Sequence, residues 1–413
     1  MNKQILQAGV VGIGGYASFH HEAMQALEAE GLVKVRSTCD PKADELRSVQ
    51  ARYGFEARGV RVSPDIAGMF SEPLDLVTVS APIHLHAAMH RTCVERGAAC
   101  YLEKPPTLNP VELASMIEVD RIARKQTHVG FHLLHQSERL ALKQRMISGE
   151  FGTPRRVAFV GTWRRPLSYF QRNSWAGRLT LGGAMLLDSS FANAMAHYVN
   201  AVLFFAGEGS LYSWASPVRA AAELYRANSI QGTDTVFVRA ELENGVPCHI
   251  ATTHACEAAH EQREIYEFDG ARIEIRELSD ASITFRDGRQ ETASIADISL
   301  VDNLRDYISY LNGLASRPNI RLEDCRPFVN LNALLYLAAP GIADIPAACL
   351  RSVALPEHQT SAIVIDGIKD ATERFAESGI FPSESGLPWG RSGGVSEIGE
   401  IDRLDAALKA LTS

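Results

Sequence analysis

The stretch VVGIGGYA, residues 10–17, decides the fold of the first part of the chain. A short apolar run precedes it at 5–11, and good helix formers follow at 17–30. Glycines between a strand and a helix let the backbone turn tightly and approach a pyrophosphate, which binds the amide groups at the helix N-terminus. The stretch therefore predicts a dinucleotide-binding turn, and the alternative is a tight strand–helix turn without a ligand. The predicted cofactor contacts in it are Gly12, Gly14, Gly15, Tyr16 and Ala17.

A second predicted strand, Val33 to Cys39, ends in Asp40. A carboxylate at this place accepts hydrogen bonds from the ribose hydroxyls and repels a 2′-phosphate. We therefore expect Asp40 to contact the cofactor, with NAD favoured over NADP.

Strands and helices continue to alternate after Asp40. Apolar runs at 74–82 and 98–102 are each followed by a helical pattern, at 84–96 and 110–125, and a further strand begins at 128. This alternation predicts a doubly wound parallel sheet, in which ligands bind at the carboxyl ends of the strands. The loops 80–86 and 103–106 fall at those ends, and we expect Ser80 and Pro82 to contact the cofactor.

Composition and charge exclude several classes of protein. The chain has 413 residues, too many for one core, with 46% hydrophobic and 22% charged residues. Its net charge of −8 and the lack of a basic run argue against a nucleic-acid partner. No apolar run reaches the ~18 residues that span a bilayer, so no membrane partner is expected.

The cysteines and the N-terminus indicate a cytoplasmic protein. The seven cysteines are scattered and include no C-x-x-C, which is typical of reduced thiols rather than disulfides. Lys3 and the apolar residues after it mimic a signal peptide, but Gln7 interrupts the run. We expect an uncleaved N-terminus.

A different pattern begins near residue 130. Strand-like runs are joined by Asn244–Gly245, Asp269–Gly270 and Asp287–Gly288, which are strong hairpin signals and predict an antiparallel sheet. Helices are predicted at 299–316, 323–339 and 363–378. The Gly-, Ser- and Pro-rich tail, 380–396, precedes a short amphipathic helix; it either crosses to a neighbouring subunit or is a loose terminus. The predicted domains are 1–129, 130–378 and 379–413.

Three segments carry a resemblance to a known family. GIGGYA at 12–17, APIHLH at 81–86 and above all LEKPPTLNPVE at 102–112 resemble the glucose–fructose oxidoreductase/inositol dehydrogenase (Gfo/Idh/MocA) family, over residues 5 to about 345. The resemblance implies an NAD-dependent oxidoreductase of a sugar, polyol or sugar derivative. It also implies a Rossmann domain followed by an α+β domain whose large, mostly antiparallel sheet carries helices on one face and commonly forms a dimer interface. We expect a homodimer or homotetramer.

The resemblance assigns roles to several residues of the first domain. In the family, the lysine of E-K-P lies beside the nicotinamide and helps to move the substrate hydroxyl proton, which implicates Lys104; Glu103 and Pro105 shape its loop. A partly buried lysine beside a cationic ring has a lowered pKa, so the chemistry agrees. The alternative is a solvated loop lysine. His86 is then expected near the nicotinamide, and His132 in the adjoining cleft.

The histidines raise the question of a metal site. None of the pairs has a Cys or acidic partner at zinc-site spacing, and the family's chemistry uses no metal. We expect no metal. The histidines concerned are His84, His86, His132, His135, His249 and His254.

The segment WRRPLSYFQRNSWAGRL, 163–179, concentrates arginines and aromatic residues in a loop. Family members place a comparable loop over the substrate, where aromatic faces stack on sugar rings and arginines donate hydrogen bonds to hydroxyls or carboxylates. The alternative is a satellite aromatic cluster under a long loop. The candidate substrate-binding residues are Arg165, Tyr169, Arg172, Asn173 and Trp175.

The segment GGAMLLDSSFANAMAHYVN, 182–200, gives two conflicting registers for the catalytic residues. In the family, two glycines precede an Asp that is followed four residues later by the catalytic His, and a glycine ends the next helix. Counting from the glycines selects Asp188, whose +4 partner is the inert Ala192; counting back from Gly207 selects His197, whose −4 partner is Asn193.

On a continuous helix, Asp188 and His197 would lie about 13 Å apart on opposite faces, whereas Asn193 and His197 would share a face. We therefore assign His197 to proton handling or substrate orientation, with Asn193 in the place of the family's Asp, and we keep Asp188 as a partner in the site. The alternative for His197 is a hydrogen-bonded core histidine.

Two other functions use the same residues. A redox-neutral NAD-dependent glycoside-cleaving enzyme would oxidise its substrate transiently, eliminate and reduce again. A catalytically lapsed nucleotide-binding sensor would keep the fold without chemistry, although the presence of Lys104 and His197 argues against it.

Overall fold

The computed structural model describes residues 5–276, 280–356 and 359–412. They form two compact units. The first comprises 5–107, 111–135 and 298–325, and the second comprises the other described residues. None of the helices in the described ranges is long and apolar enough to cross a membrane.

The bounds of the elements are as follows. Strands β1 to β20 are, in chain order, Leu6–Val11, Val33–Cys39, Arg61–Ser63, Leu76–Val79, Ala99–Leu102, His128–Val129, Pro154–Thr162, Thr180–Leu181, Ala184–Met185, Pro217–Arg226, Thr235–Leu242, Pro247–Thr253, Glu261–Phe268, Ala271–Arg276, Asp280–Phe285, Gln290–Ser294, Ala343–Asp344, Leu350–Leu355, Thr360–Ile365 and Gly394–Glu397. Helices α1 to α13 are Ala17–Ala29, Arg47–Arg52, Phe55–Arg58, Ile66–Met69, His86–Glu95, Pro110–Asp120, Ser137–Ile147, Leu167–Gln171, Ala196–Ala206, Leu300–Leu311, Arg326–Ala338, Ile368–Ser378 and Leu404–Thr412.

The first unit is built on a parallel sheet with the strand order β3-β2-β1-β4-β5-β6. This is the order of the Rossmann fold, and it confirms the predicted doubly wound sheet. The strand order reverses between β1 and β4, and the carboxyl ends of these strands lie at one edge of the sheet. Gly12, Asp40, Ser80 and Glu103 follow β1, β2, β4 and β5 respectively, so the fold places the predicted cofactor residues at that edge.

Helix α10 belongs to the first unit, although the sequence analysis placed it in the second domain. Its side chains Leu304, Tyr307 and Ile308 are buried in one core with β1 and α1. Arg305 also forms an ion pair of 2.6 Å with Glu30, directly after α1. The chain therefore returns to the first unit because α10 covers apolar side chains that the first 129 residues leave open.

The second unit contains a mixed ten-stranded sheet with the order β16-β15-β14-β13-β7-β12-β11-β10-β17, with β20 paired to β10. Its pairs are antiparallel except β7–β12 and β10–β17, which confirms a large, mostly antiparallel sheet. The three predicted hairpin turns join β11 to β12, β13 to β14 and β15 to β16.

Helices lie on both faces of this sheet, so the expectation of helices on one face is wrong for this chain. On β7, Phe159 stacks on Tyr198 of α9 with ring centroids 5.2 Å apart. Ala158 and Val160 instead pack with Ala376 of α12. Successive residues of a strand point to opposite faces, and β7 is apolar on both because each face meets a helix.

The C-terminal segment packs on its own unit. Trp389 is 1% exposed and donates a hydrogen bond of 3.1 Å from Nε1 to the Asp366 carbonyl. β20 pairs antiparallel with β10. Residues 389–397 are therefore packed on their own unit, and they form neither a loose terminus nor a tail that crosses to a neighbouring subunit. The predicted helix 363–378 begins only at Ile368, since its first residues belong to β19 and pair with β18.

Candidate functional site

The glycine turn after β1 has the backbone geometry that the motif predicts. Gly12 has φ of +94° and Gly15 has φ of +59°. A Cβ on Gly12 would lie 2.8 Å from the Cβ of Ala17, so the close approach of α1 to the turn requires a glycine there. A Cβ on Gly15 would meet nothing within 4 Å, so the turn presents bare backbone to open space. The turn fits a pyrophosphate at the N-terminus of α1.

Asp40 lies beside this turn. Its Oδ2 accepts a hydrogen bond of 3.0 Å from the Ile13 N–H, and its Oδ1 accepts one of 2.9 Å from the Lys42 N–H. Each carboxylate oxygen has more than one lone pair, so the half-buried Asp40 keeps acceptor capacity for ribose hydroxyls. The site therefore fits NAD.

The loops after β4 and β5 are joined by a buried histidine. His86 is 1% exposed, with Nδ1 3.0 Å from the Pro105 carbonyl and Nε2 2.8 Å from the Ala81 carbonyl. Burial lowers the pKa of His86. The Ser80 hydroxyl donates a hydrogen bond of 2.8 Å to the Val11 carbonyl, which ties the loop after β4 to β1.

Glu103 is a buried carboxylate directly before Lys104. It is 7% exposed, and its Oε1 lies 3.0 Å from Nε2 of His20, while its Oε2 accepts a hydrogen bond of 3.3 Å from the Lys104 N–H. Burial raises the pKa of Glu103, but the hydrogen bond from His20 and the charges of His20 and Lys104 lower it more, so its pKa lies below the ordinary value. The charge of Glu103, with burial, raises the pKa of Tyr16.

Lys104 and His132 are the other predicted residues of the first unit. Both side chains are half-buried, and the Lys104–Pro105 peptide bond is cis. His132 opens a short 3₁₀ turn, His132–His135. His20 was not predicted, because no motif singles it out; its place one helical turn after the glycine motif is the sequence signal for it.

In the second unit, Asp188 and Asn193 form one hydrogen-bonded pair. Asp188 is 4% exposed; its Oδ1 accepts a hydrogen bond of 2.8 Å from Nδ2 of Asn193. Its Oδ2 accepts one of 2.7 Å from the Gly177 N–H. Leu187, directly before Asp188, has φ of +48°, an uncommon conformation for a leucine that recurs at functional sites.

The premise of one continuous α-helix through 188–200 is wrong. Gly182 and Gly183 form the turn of the small β8–β9 hairpin, and Asp188 precedes the helical segment. The residues Ser190–Ala194 form a π-helical turn, and only Ala196–Ala206 is α-helical. Asn193 lies five residues after Asp188, and the wider turn brings the two side chains within hydrogen-bond distance. The Asp188 selected by one register and the Asn193 selected by the other are therefore one hydrogen-bonded pair. Gly207 does end α9, as predicted, and His197 is half-buried in its first turn.

The loop after β7 brings its arginines and aromatic rings together. Cζ of Arg165 lies 3.8 Å from the ring centroid of Trp163 and 4.3 Å from that of Tyr169. Cζ of Arg172 lies 3.6 Å from the Tyr169 centroid and 5.0 Å from that of Trp175. We call these five residues the arginine–aromatic cluster. Burial raises the pKa of Tyr169, as does the charge of nearby Asp188.

Two neighbours of the cluster differ in character. Asn173 accepts backbone hydrogen bonds from Trp175 (3.1 Å) and Ala176 (2.8 Å), so its carbonyl oxygen shapes the loop. His254, which the sequence analysis considered only as a metal ligand, lies with its ring 5.8 Å from Tyr169. Burial, and then the charges of Arg165 and Arg172, lower its pKa to about 3, so His254 is neutral. Among the described residues, no group of His, Cys, Asp and Glu side chains is arranged to hold a metal ion.

A six-stranded Rossmann unit with a glycine turn and an E-K-P loop defines a nucleotide-binding protein of the oxidoreductase type. Residues 6–131 match the GFO/IDH/MocA model described as "Oxidoreductase family, NAD-binding Rossmann fold", and residues 140–276 match the GFO/IDH/MocA C-terminal domain. The chain belongs to the GFO/IDH/MocA family, and its first unit is an NAD-binding Rossmann fold.

Relatives agree with this assignment. Myo-inositol 2-dehydrogenase of Thermotoga maritima is 23% identical over 198 residues, 47% of this chain and 54% of the relative. Inositol 2-dehydrogenase of Rubrobacter xylanophilus is 26% identical over 163 residues, 39% of this chain and 44% of the relative. The chain thus spans about half the length of the curated relatives it matches.

Solved structures share the fold. The WlbA dehydrogenase from Bordetella pertussis, in complex with NADH and UDP-GlcNAcA, superposes with a TM-score of 0.66 at 18% identity, covering 81% of this chain and 96% of that one. A levoglucosan dehydrogenase, in complex with NADH and levoglucosan, gives 0.65 at 15% identity, covering 80% and 95%.

Proposed function

We propose that the chain is an NAD-dependent oxidoreductase that transfers a hydride between nicotinamide and a hydroxyl-bearing carbon of a sugar, polyol or sugar derivative. The observation that carries this proposal is Lys104, which follows β5 at the ligand-binding edge of the sheet, beside the buried carboxylate of Glu103. Family membership supports the redox chemistry. The names of the relatives, inositol and levoglucosan dehydrogenases, support a hydroxyl-bearing substrate.

The residues of the first unit that would hold NAD are those of the glycine turn and Asp40. When bound, NAD supplies the hydride acceptor. Gly12, Gly14 and Gly15 offer backbone amides to the pyrophosphate, with Tyr16 and Ala17 at the start of the helix. Asp40 accepts hydrogen bonds from ribose hydroxyls and repels a 2′-phosphate. Ser80 and His86 organise the loop after β4, and the Pro82 carbonyl accepts a hydrogen bond of 2.9 Å from the Leu85 N–H there.

Oxidation of a secondary alcohol also releases the hydroxyl proton, which needs an acceptor. We propose Lys104 and His197 as the residues that handle this proton. Asp188 already accepts hydrogen bonds from Gly177 and Asn193, so we assign it to orienting Asn193. Asn193 has an amide, which cannot ionise, and it therefore orients substrate rather than acting as a base.

An assay with a panel of sugars and polyols tests the proposal. NADH formation is followed by absorbance, and products are analysed in parallel. We expect NADH to form in step with a ketone or lactone product from at least one polyhydroxylated compound, and Lys104→Ala to slow its formation by roughly 10²–10⁴-fold. Product formation without NADH would instead establish the redox-neutral cleavage. If neither NADH nor a product forms, the result rejects an enzymatic function on this panel.

Location and assembly form a second part of the proposal. All seven cysteines are free and buried, which supports a reducing, cytoplasmic environment. We propose a homodimer or homotetramer, and light scattering after size-exclusion chromatography measures the mass directly.

A further inference from the structure

The arginine–aromatic cluster concentrates positive charge in the second unit. Arg165 and Arg172 both contact the ring of Tyr169, and each has a second aromatic neighbour. Aromatic faces stabilise a guanidinium only weakly. They do not neutralise its charge, and an arginine in a protein stays protonated. Arg172 also donates a hydrogen bond of 2.6 Å to the Tyr169 carbonyl, which is uncharged, so two cations stand side by side without a counter-charge from these contacts.

Neither guanidinium has a carboxylate partner in the described part of the chain. Other buried arginines there do have carboxylate partners, as in the 2.6 Å pair of Arg139 and Glu264 and the 2.8 Å pair of Arg156 and Glu267. Arg165 and Arg172 form no such ion pair with a described residue, and Nε of Arg165 is buried without a hydrogen-bond partner. Burial lowers the pKa of Arg165, and the charge of Arg172 lowers it further.

The other charged groups around the cluster leave this excess in place. Asp188 is the acid whose charge reaches Arg165 and Tyr169, but its two oxygens accept hydrogen bonds from Gly177 and Asn193. His254 is neutral because burial lowers its pKa to about 3. Arg164 is turned to the Glu257 carbonyl. The carboxylate whose charge acts on Arg165 is thus already hydrogen-bonded to other groups.

We propose that the arginine–aromatic cluster binds an anionic oxygen group, carboxylate or phosphate, so that the substrate is an acidic sugar or polyol derivative rather than a neutral one. The planar fork of a guanidinium matches such a group with two parallel hydrogen bonds. A half-buried, unpaired guanidinium gains most from a ligand that restores its lost solvation. The tyrosine and tryptophan rings pack on the sugar carbons beside the charge. Calling the bound molecule a substrate rests on the proposed function, whereas the anion-binding site itself does not depend on it.

Equilibrium binding measures the charge preference directly. The probes are D-glucuronate, D-glucose 6-phosphate and D-glucose, titrated calorimetrically into the full chain with NADH present. We expect the better of the two anions to bind at least about tenfold more tightly than glucose, and its identity distinguishes carboxylate from phosphate. Arg165→Met is expected to weaken anion binding by roughly 10–100-fold and to weaken glucose binding by much less, so that the preference for the anion falls.

Two further variants guard the result. Arg172→Met removes the exposed member of the pair, so it tests the same site with little risk to folding; its expected loss is about tenfold. Arg164→Met is the matched control from the same loop, since its guanidinium binds a carbonyl outside the cluster, and it should keep the affinity for the anion. Each variant is compared by its melting temperature.

The outcomes separate this inference from the proposed function. Anions that bind no tighter than glucose, or whose affinity survives both Arg165→Met and Arg172→Met, overturn the inference, even if neutral polyols reduce NAD. The same three probes are also incubated with the chain and NAD, and NADH is followed by absorbance. Arginine-dependent anion binding without NADH formation from any probe supports the site and counts against the oxidoreductase. Arginine-dependent binding together with NADH formation supports both.

Discussion

Two cation-bearing loops, one in each unit, treat their charge differently. Lys104 follows β5 and has the buried carboxylate of Glu103 as its chain neighbour, which His20 binds from α1. Arg165 and Arg172 follow β7 and have aromatic rings instead. A nearby carboxylate balances a cation within the protein, whereas a ring only stacks on it. The first loop therefore balances its cation within the protein, and the second leaves its positive charge for a ligand.

The largest expected effect comes from the first loop. Lys104→Ala should lower kcat by roughly 10²–10⁴-fold, the usual contribution of a general acid or base. NAD binding, measured by calorimetry, should persist because the glycine turn and Asp40 are unchanged. Lys125→Ala is the control in the same unit, since Lys125 lies over the Tyr310 ring. Near-normal turnover of Lys104→Ala would remove this lysine from the mechanism.

The next effect tests the second unit at Asp188, Asn193 and His197. With saturating NAD, His197→Ala should lose roughly 10²-fold in kcat, and Asn193→Ala should mainly raise KM, because its amide orients substrate without ionising. Ala192→Ser serves as the control. If His197→Ala turns over normally and Asp188→Ala is inactive, the proton assignment belongs to Asp188.

A smaller effect concerns cofactor choice, which depends on the first unit alone. NAD should bind at least tenfold more tightly than NADP, a difference of about 1.4 kcal/mol. Asp40→Ser should lower the ratio of the affinity for NAD to that for NADP. Asp44→Ser should leave this ratio unchanged, since the exposed carboxylate of Asp44 pairs with Arg47. Equal affinities in the unaltered chain would show that Asp40 does not face the ribose.

The smallest expected effect is a change in the pKa of one histidine, His254 of the second unit, with His21 of the first unit as the reference. Burial is the main cause that lowers the pKa of His21 to about 4 and that of His254 to about 3, but Arg165 also acts on His254. By NMR, Arg165→Met should raise the pKa of His254 and leave that of His21 unchanged. Both values lie below the unfolded one, so the unfolded chain binds more protons and stability falls as pH drops from about 6.5 towards 4. An unchanged pKa of His254 in Arg165→Met would show that the charge of Arg165 does not act on the His254 ring.

Sequence reasoning succeeded where the local backbone geometry itself requires a particular residue. Gly12 and Gly15 were predicted because positive φ and the close approach of Ala17 require glycine at those places. The hairpin dipeptides likewise state their own turn geometry. By contrast, the counting argument for His197 assumed a single α-helix, and nothing local in Ser190–Ala194 announces a π-helical turn.

The sequence by itself determined the parallel nucleotide-binding sheet and the edge at which its predicted cofactor residues gather, because these follow from backbone turns and from periodicities of a few residues. Only the tertiary structure decided that α10 completes the first core, that α12 and the tail cover the second face of the large sheet, that Asp188 accepts a hydrogen bond from Asn193, and that Arg165 has rings rather than an acid beside it. Each of these depends on side chains brought together by packing, and their contact energies exist only once the chain has folded.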